Sequence, residues 1–273
     1  MAGTLSHFKL MQDLEKKLDI DNKDLFLMAG QGHDLLFFVR LRDLNKFGIR
    51  SVIAKDIASQ KFKVLVECWQ EEVINTNNKE LETMLYGYIA HHIMDYYIHP
   101  WINKDLGYYF DKNDEHTWVN NGKHEMLESI IDVLVFDYKK FKVPTINLSS
   151  NTIKSLDKLF NRVYGIDEIG SLMNDGIGNV RGFINIYRKD RFKIKRLGYK
   201  LLDKLSSNNH TKYAFLSFGY SKKEKEIVRK DYLDKFDALY NLALRDSFNM
   251  INDIRNSLQN KKVRIIAFDK SAI

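Results

Sequence analysis

The chain has 273 residues, of which 44% are hydrophobic, so it is long enough to bury a substantial core in one large domain or two small ones. Its single cysteine, Cys68, excludes an intramolecular disulfide and with it the class of small disulfide-stapled proteins. The net charge of +7 is compatible with an anionic partner, but the basic residues are scattered, which favours a solvated surface over a nucleic-acid-binding arm.

The first residues carry no basic segment followed by an apolar run, so they do not have the pattern of a secretory signal. No apolar run approaches the ~18 residues that a transmembrane helix needs. These two observations predict a cytoplasmic protein without a membrane span.

The first third of the chain is expected to be mainly helical. An apolar three-to-four spacing from Phe8 predicts a helix that begins close to His7, and the same spacing over residues 62–73 predicts another. Between them, a loop should lead to a Gly-rich segment at residues 30–34, followed by a buried apolar segment at 35–39.

Residues 80–99 are apolar on nearly every side, which predicts a central, buried helix. Pro100 is expected to end it, because the residue before a proline is pushed out of the α region. Gly87 lies one turn before His91, and its missing side chain is expected to leave room beside a metal.

The remaining predicted elements, in chain order, are a long loop (101–122), a helix (123–136), a helix closed by Gly165 (153–163), a glycine-containing helix (169–187), a long C-terminal helix (232–250) and one short strand (263–268). Gly170, Gly178 and Gly182 are expected to permit close helix packing. The chain shows no internal repeat or low-complexity linker. It is therefore predicted to form one all-α, multi-helix domain over residues 1–273.

Five metal-capable side chains occur at helical spacing in the middle of the chain. His91, Asp95 and His99 are four residues apart and should line one face of a helix, and His124 and Glu128 should share a face of a second helix. Burying such groups uncompensated would cost several kcal/mol per ionised group, and a bound cation removes that cost. Imidazole and carboxylate ligands favour zinc, with manganese or iron as competitors. More than four ligands indicate more than one ion, and multinuclear sites of this kind hydrolyse phosphoesters.

The run His91-x3-Asp95-x3-His99-Pro100 with His124-x3-Glu128 resembles the bacterial zinc-dependent phospholipase C family, whose relatives include the single-strand-specific zinc nucleases. Weaker similarities are Ser6-His7-Phe8, the Gly-rich segment 29–34, the helix entry 86–91, the trailing Asp132 and the helix at 236–243. The resemblance spans most of the chain. It implies an all-helical fold of the phospholipase C and zinc nuclease type that holds up to three zinc ions.

Carried over position by position, the resemblance implies that His99, His124 and Glu128 hold one zinc ion. His91 would belong to a neighbouring pair of ions, and Asp95 would bridge two of them.

Two further ligands are implied from distant sequence. His7 would bind the third ion, and Asp34 would face the bound water as a ligand or as the catalytic general base. Asp132 is interpreted as a supporting carboxylate that accepts the N–H of a ligand imidazole, with an ordinary surface or capping carboxylate as the alternative.

The sequence departs from the family in two places. The family has another ligand histidine after the Gly-rich segment, but residues 48–56 contain none, and Asp56 is a candidate substitute. Secreted members use an N-terminal tryptophan as a ligand, and this chain has no such residue. His33 stands where the family has proline and is either an extra ligand or a loop residue. His92 is out of phase with the ligand face, which indicates packing or support.

The predicted function is zinc-dependent hydrolysis of a phosphodiester, similar to phospholipase C, with a metal-bound water as nucleophile. A phospholipid headgroup is the preferred substrate over nucleic acid. One alternative is a catalytically weak or inactive zinc-stabilised binding protein of the same fold. Another is an HD-type metal phosphohydrolase built on His7, His33, Asp34 and Asp95, which would favour manganese, iron or magnesium over zinc.

Overall fold

The secondary structure of the described residues is entirely helical. The computed structural model describes residues 3–38, 60–106, 123–137, 140–188 and 222–265, and no strand occurs in these ranges. The helices are α1 (Thr4–Glu15), α2 (Lys23–Ala29), a 3₁₀ helix (Gly32–Phe38), α3 (Gln60–Thr76), α4 (Lys79–Leu106), α5 (Lys123–Val135), α6 (Ser150–Tyr164), α7 (Ile169–Arg188), α8 (Lys222–Asp231) and α9 (Leu233–Gln259). The all-α class is therefore confirmed for these ranges, while the single domain over residues 1–273 stays a prediction.

Helix α4 is the centre of the fold. The side-chain oxygen of Asn78 accepts the backbone N–H groups of Glu80 and Leu81 at 3.0 and 3.1 Å, which satisfies two donors at the start of the helix. Most of the residues that follow are buried, because α2 and α9 pack against the helix most extensively and α1, α3, α5 and α6 pack on it as well. The predicted buried helix over residues 80–99 is thus confirmed.

Pro100 does not end this helix, so that prediction was wrong. Helix α4 runs through Pro100 to Leu106, although the proline removes the N–H that would bond the carbonyl of Tyr96 at a cost of about 3 kcal/mol. Continuing the helix buries Ile102 as completely as Ile98, both at 1% exposure, and places Trp101 on the core. Burial of one large apolar side chain contributes about 1.5–3 kcal/mol, which is enough to offset the proline.

Helix α2 was not predicted, because the stretch before Gly30 was expected to be a loop. The side chain of Asn22 caps the helix by accepting the backbone N–H of Leu25 at 3.0 Å. Residues 25–29 are all buried. The element spans only seven residues, which is too short for a helical period to show in the sequence.

Other predicted helices are found close to their expected bounds. Gly165 ends α6 with a φ of 68°, a left-handed conformation that favours glycine. An added Cβ at Gly170 would lie 2.3 Å from the carbonyl oxygen of Ile153, so this glycine does permit close packing of α7 on α6. Gly178 faces open space, so its predicted packing role was wrong, and the surroundings of Gly182 lie outside the description.

The predicted strand at 263–268 is not found in its described part. Residues 263–265 are exposed and have no strand partner; instead the side-chain amide of Gln70 pairs with the backbone of Arg264. Gln70 accepts the Arg264 N–H at 2.8 Å and donates to the Arg264 carbonyl at 3.0 Å. Residues 266–268, like 107–122 of the predicted loop, lie outside the described ranges. Among the described helices, none is both long and apolar enough to cross a bilayer.

Candidate metal centre

Four segments bring eight metal-capable side chains together in three groups, two of which share His91. Their candidate ligand atoms lie within 4.8 Å of one another in each group. The groups are His7, Asp34 and His91; His33, His91 and Asp95; and His99, His124 and Glu128. All seven predicted ligand positions are among them, and His33 is the addition.

Asp95 lies at the centre of this arrangement. Its Oδ1 is 3.4 Å from His7 Nε2 and 3.3 Å from His99 Nε2, and its Oδ2 is 3.3 Å from His91 Nε2. Two ligand atoms of one tetrahedral zinc ion are about 3.3–3.4 Å apart when the bonds are 2.0–2.1 Å. The spacing around Asp95 is therefore compatible with atoms that share a metal, and the two oxygens face different imidazoles, as a bridging carboxylate requires.

The cluster divides into two parts that differ in exposure. We call His7, His33, Asp34, His91 and Asp95 the inner group. Its members are at most 3% exposed. We call His99, His124 and Glu128 the outer group, where the side chain of His99 is 21% exposed. Within the described residues, the His99 side of the centre is thus the one nearest to solvent, although His99 Nε2 itself is buried.

The hydrogen bond of His91 fixes how its ring faces the cluster. His91 Nδ1 is 3.1 Å from the carbonyl oxygen of Gly30, and a carbonyl can only accept, so Nδ1 carries the proton. Metal-binding histidines characteristically donate their other ring N–H in this way. The Nε2 lone pair therefore points at the Asp95 carboxylate, and a proton or a cation is needed between these two acceptors.

The glycine before this histidine has a different role from the predicted one. Gly87 was expected to leave room beside a metal, but that space is filled by backbone: an added Cβ would lie 2.6 Å from Ala29 C and 2.8 Å from Gly30 N. Because Gly87 has no side chain, the end of α2 can approach α4. This close packing places the Gly30 carbonyl within hydrogen-bond distance of His91.

Burial and neighbouring charges together set protonation in the inner group. Burial lowers the pKa of His7 to about 4, with the neighbouring His91 acting in the same direction. Burial also opposes the charge on Asp95, but His99 and His91 outweigh it and hold the pKa of that carboxyl well below its usual range. Near neutral pH the group therefore presents a neutral imidazole at His7 and a carboxylate at Asp95, which are the forms that bind metals.

Some ring nitrogens of the inner group lack a good hydrogen bond. Among the described residues, no partner in hydrogen-bond geometry meets the buried His7 Nδ1 or His91 Nε2. A buried polar atom left without a partner costs about 1–3 kcal/mol. A cation among these imidazoles and carboxylates would remove that cost. The donor atoms and their spacing therefore fit a bound metal ion.

The outer group joins α4 to α5. His124 Nε2 lies 3.0 Å from Glu128 Oε1, one turn along α5, and the His124 ring centroid is 5.9 Å from that of His99. Burial raises the pKa of Glu128 to about 7. The predicted pairing of the two helix faces is therefore observed, and the group can hold one ion with two imidazoles and one carboxylate.

Asp132 has partners other than the predicted ligand imidazole. Its Oδ2 accepts the backbone N–H of Leu5 at 2.9 Å, and its Oδ1 accepts the Ser6 N–H at 2.9 Å and the Ser6 hydroxyl at 2.6 Å. The carboxylate thus caps α1 from α5, because Gly3 at the start of α1 has no side chain to do so. A Cβ at Gly3 would lie 2.2 Å from the Asp132 carboxylate, so the glycine makes room for this cap.

Two histidines outside the predicted ligand set are now distinguished. His33 joins His91 and Asp95 in one group. His92 instead stacks flat on Phe62 of α3, with ring centroids 3.3 Å apart, which supports the packing interpretation. Sequence offered one signal for His33, its position directly before Asp34. Asp56 lies outside the described ranges.

Comparison of the chain with protein-family models, with curated proteins and with solved structures finds no match. The chemistry of the centre is therefore supported by its own residues: five imidazoles and three carboxylates that meet in the three groups described above. These groups can bind a metal ion.

Proposed function

We propose that this chain is a zinc-dependent phosphodiester hydrolase similar to the bacterial zinc-dependent phospholipase C family. The observation that carries the proposal is the continuity of the two groups through Asp95, whose oxygens lie 3.3–3.4 Å from imidazoles of both. Metal ions held side by side in this way can stabilise both the attacking and the leaving oxygen of a phosphoester.

The donor set favours zinc. Five imidazoles and three carboxylates meet in the cluster. Imidazole-rich sites suit zinc, whereas magnesium and calcium prefer oxygen ligands. The outer group would supply three protein ligands to one ion, and the inner group has the donors for one or two more.

Zinc, when bound, would polarise a phosphoryl oxygen and make water nucleophilic near neutral pH. The residues of the chain supply the remaining requirements. Asp95 holds the two groups together, and Asp34, next to His7 and His91, is positioned to act as a ligand or to accept a proton as general base. Because His99 is the exposed member, the substrate would enter on the side of the outer group.

A phospholipid headgroup is favoured over single-stranded nucleic acid as the substrate. Binding of single strands relies on aromatic side chains that are free to stack on bases. Two of the described aromatic residues near His99 have other partners: Tyr97 donates a hydrogen bond to Asp246, and Trp101 packs on Tyr232 with ring centroids 6.2 Å apart. They are therefore occupied in joining helices.

The test combines metal analysis with a substrate panel. The purified full-length chain is analysed for zinc, manganese and iron, and is assayed with phosphatidylcholine, bis(p-nitrophenyl) phosphate and single-stranded DNA. Zinc together with turnover of the phosphocholine ester is expected. Zinc without turnover of any phosphodiester would contradict the enzymatic part of the proposal.

A zinc-stabilised protein without activity is the second candidate. It is favoured by the burial of the inner group, where His7 and His91 are 0% exposed and out of reach of a substrate. Structural metal sites are closed in this way, whereas catalytic sites keep a position open. This candidate predicts stable zinc binding and no hydrolysis.

An HD-type metal phosphohydrolase is a third candidate. The residues that it requires, His7, His33, Asp34 and Asp95, do lie together in the inner group. It gives the outer group no role, however, and it predicts manganese, iron or magnesium in the purified protein. Metal identity therefore separates it from the leading proposal.

A further inference from the structure

His33 is placed at the cluster by an unusual turn. The residue before it, Gly32, has a φ of 51°, and a Cβ added there would lie 2.5 Å from Cγ and Cδ2 of His91. The backbone of this turn therefore lies directly against the His91 ring, and only glycine fits the space and the conformation. His33 follows immediately and is 3% exposed.

The His33 ring meets the inner group through its edge. Its centroid is 4.8 Å from that of His91, with an interplanar angle of 87°. His33 Nε2 lies 3.8 Å from Asp34 Oδ1, and a ring nitrogen of His33 lies within 4.8 Å of ligand atoms of both His91 and Asp95. The ring of His33 thus places nitrogen atoms close to the carboxylates of Asp34 and Asp95.

The neighbouring His92 shows what a packing histidine does in this protein. It is equally buried, but its ring lies flat on Phe62 at an angle of 7° and it belongs to none of the ligand groups. The two histidines therefore differ in orientation, although burial and residue type are the same.

The hydrogen bond of His91 limits the number of metal ions that this residue can bind. Its Nδ1 is used by the Gly30 carbonyl, so His91 has one nitrogen for a metal and can bind only one ion. We infer that His33 is a metal ligand that binds the same ion as His91 and Asp95. This inference rests on the proposed metal centre and adds to it a ligand that the helical motifs do not contain.

The experiment measures zinc binding by the full-length chain. Wild type, His33→Asn, His33→Phe and His92→Asn are stripped with chelator, reloaded with zinc and titrated against a competing colorimetric chelator. Loss of a ligand is expected to weaken one class of zinc by tenfold or more in both His33 variants. His92→Asn is the matched control, a buried histidine next to the site, and its zinc binding should equal that of wild type.

The variants also separate ligation from folding. His33→Phe keeps the volume of a ring, and circular dichroism of the metal-free proteins shows whether each variant is folded. Folded His33→Phe with one class of zinc weakened supports the inference. Rescue of that class by His33→Asp, which restores a ligand atom, supports it further.

Two results would overturn conclusions at different levels. If wild type binds zinc and His33→Phe binds it with the same stoichiometry and affinity, His33 is not a ligand, and the metal centre itself stands. If wild type binds no metal, the centre proposed above fails, and the inference fails with it.

Discussion

The inner and outer groups are built from the same kinds of side chain, but burial gives them different properties. In the inner group, His7, His91 and Asp95 have no contact with solvent, so water cannot compensate for an absent ion. In the outer group, the side chain of His99 is partly exposed although its Nε2 atom is buried, so this group lies nearer to solvent. An inner ion should therefore contribute mainly to stability and exchange slowly, whereas an outer ion should exchange readily and face the substrate.

The two groups also depend on different parts of the chain. The outer group is formed by one pair of packed helices, α4 and α5. The inner group needs α1, the turn after α2 and α4 to meet. Damage to the outer group should therefore remain local, whereas damage to the inner group should affect the packing of three segments.

The largest effect is expected from Asp95→Asn, because Asp95 contacts imidazoles of both groups. The amide cannot bridge two ions as a carboxylate can, so zinc content should fall in both groups and hydrolysis should fall by 100-fold or more. Metal analysis and the phosphodiester assay measure the two effects. Asp137→Asn, at an exposed position after α5, is the control and should behave as wild type. Retention of full zinc by Asp95→Asn would show that the groups do not share this carboxylate.

Glu128→Ala should affect the outer group alone. The variant removes one of three ligands of the outer ion, so its zinc should be lost while inner zinc remains. Zinc release followed with a chelating dye should then lose its fast phase and keep its slow one, and thermal stability should fall by less than in Asp95→Asn. Unchanged zinc content in Glu128→Ala would refute the ligand assignment.

The two helical ligand motifs were predictable from sequence because their spacing is local. His91, Asp95 and His99, and likewise His124 and Glu128, are four residues apart, and helix geometry alone places them on shared faces. The helices themselves were also expected, since their apolar periodicity is strong. The predicted end of α4 at Pro100 was wrong, because burial of Ile102 outweighs the local tendency of a proline to end a helix.

The inner group as a whole was harder to predict from sequence, because it depends on contacts between distant segments. His7 and Asp34 were expected only through a family resemblance, and nothing local indicates that they meet His91. The positive φ of Gly32 brings His33 to the cluster, and the absent side chain of Gly87 brings Gly30 to His91. The sequence shows that a glycine is present, but it does not show which segment of the chain packs against it.

The dependence of stability on pH should distinguish the contribution of His7 from that of Glu128 in the metal-free protein. For His7, the pKa is lowered to about 4 from 6.5, so the unfolded chain binds more protons between these values, and stability contributed by neutral His7 is lost as the pH falls from 6.5 toward 4. For Glu128, the pKa is raised to about 7 from 4.5, so the folded chain binds more protons, and stability falls as the pH rises from 4.5 through 7.

Urea denaturation of metal-free protein between pH 4 and pH 8 tests these opposite slopes. Glu128→Gln should reduce the loss of stability on the alkaline side and leave the acid side unchanged. Part of the alkaline loss should remain, because burial also raises the pKa of Asp132 to about 7. Added zinc should have its largest stabilising effect above pH 7, where both groups are deprotonated. A pH profile of Glu128→Gln identical to that of wild type would contradict the assigned role of burial at Glu128.

The smallest effect is expected at Asp132, which contacts no predicted ligand but connects two helices that carry three of them. It caps α1, which holds His7, from α5, which holds Glu128. Asp132→Ala should lower the free energy of unfolding by about 1–3 kcal/mol, because buried N–H groups of α1 lose their acceptor. Asp132→Asn keeps one acceptor oxygen and should lose less. Urea denaturation of the metal-free proteins measures both, with Asp137→Asn as control. If Asp132 acts only as a cap, its loss should weaken zinc binding by the inner group, which contains His7, more than zinc binding by the outer group, which contains Glu128, because α1 is the helix that loses its cap. Equal stability of Asp132→Ala and wild type would show that α1 is held by its apolar face alone.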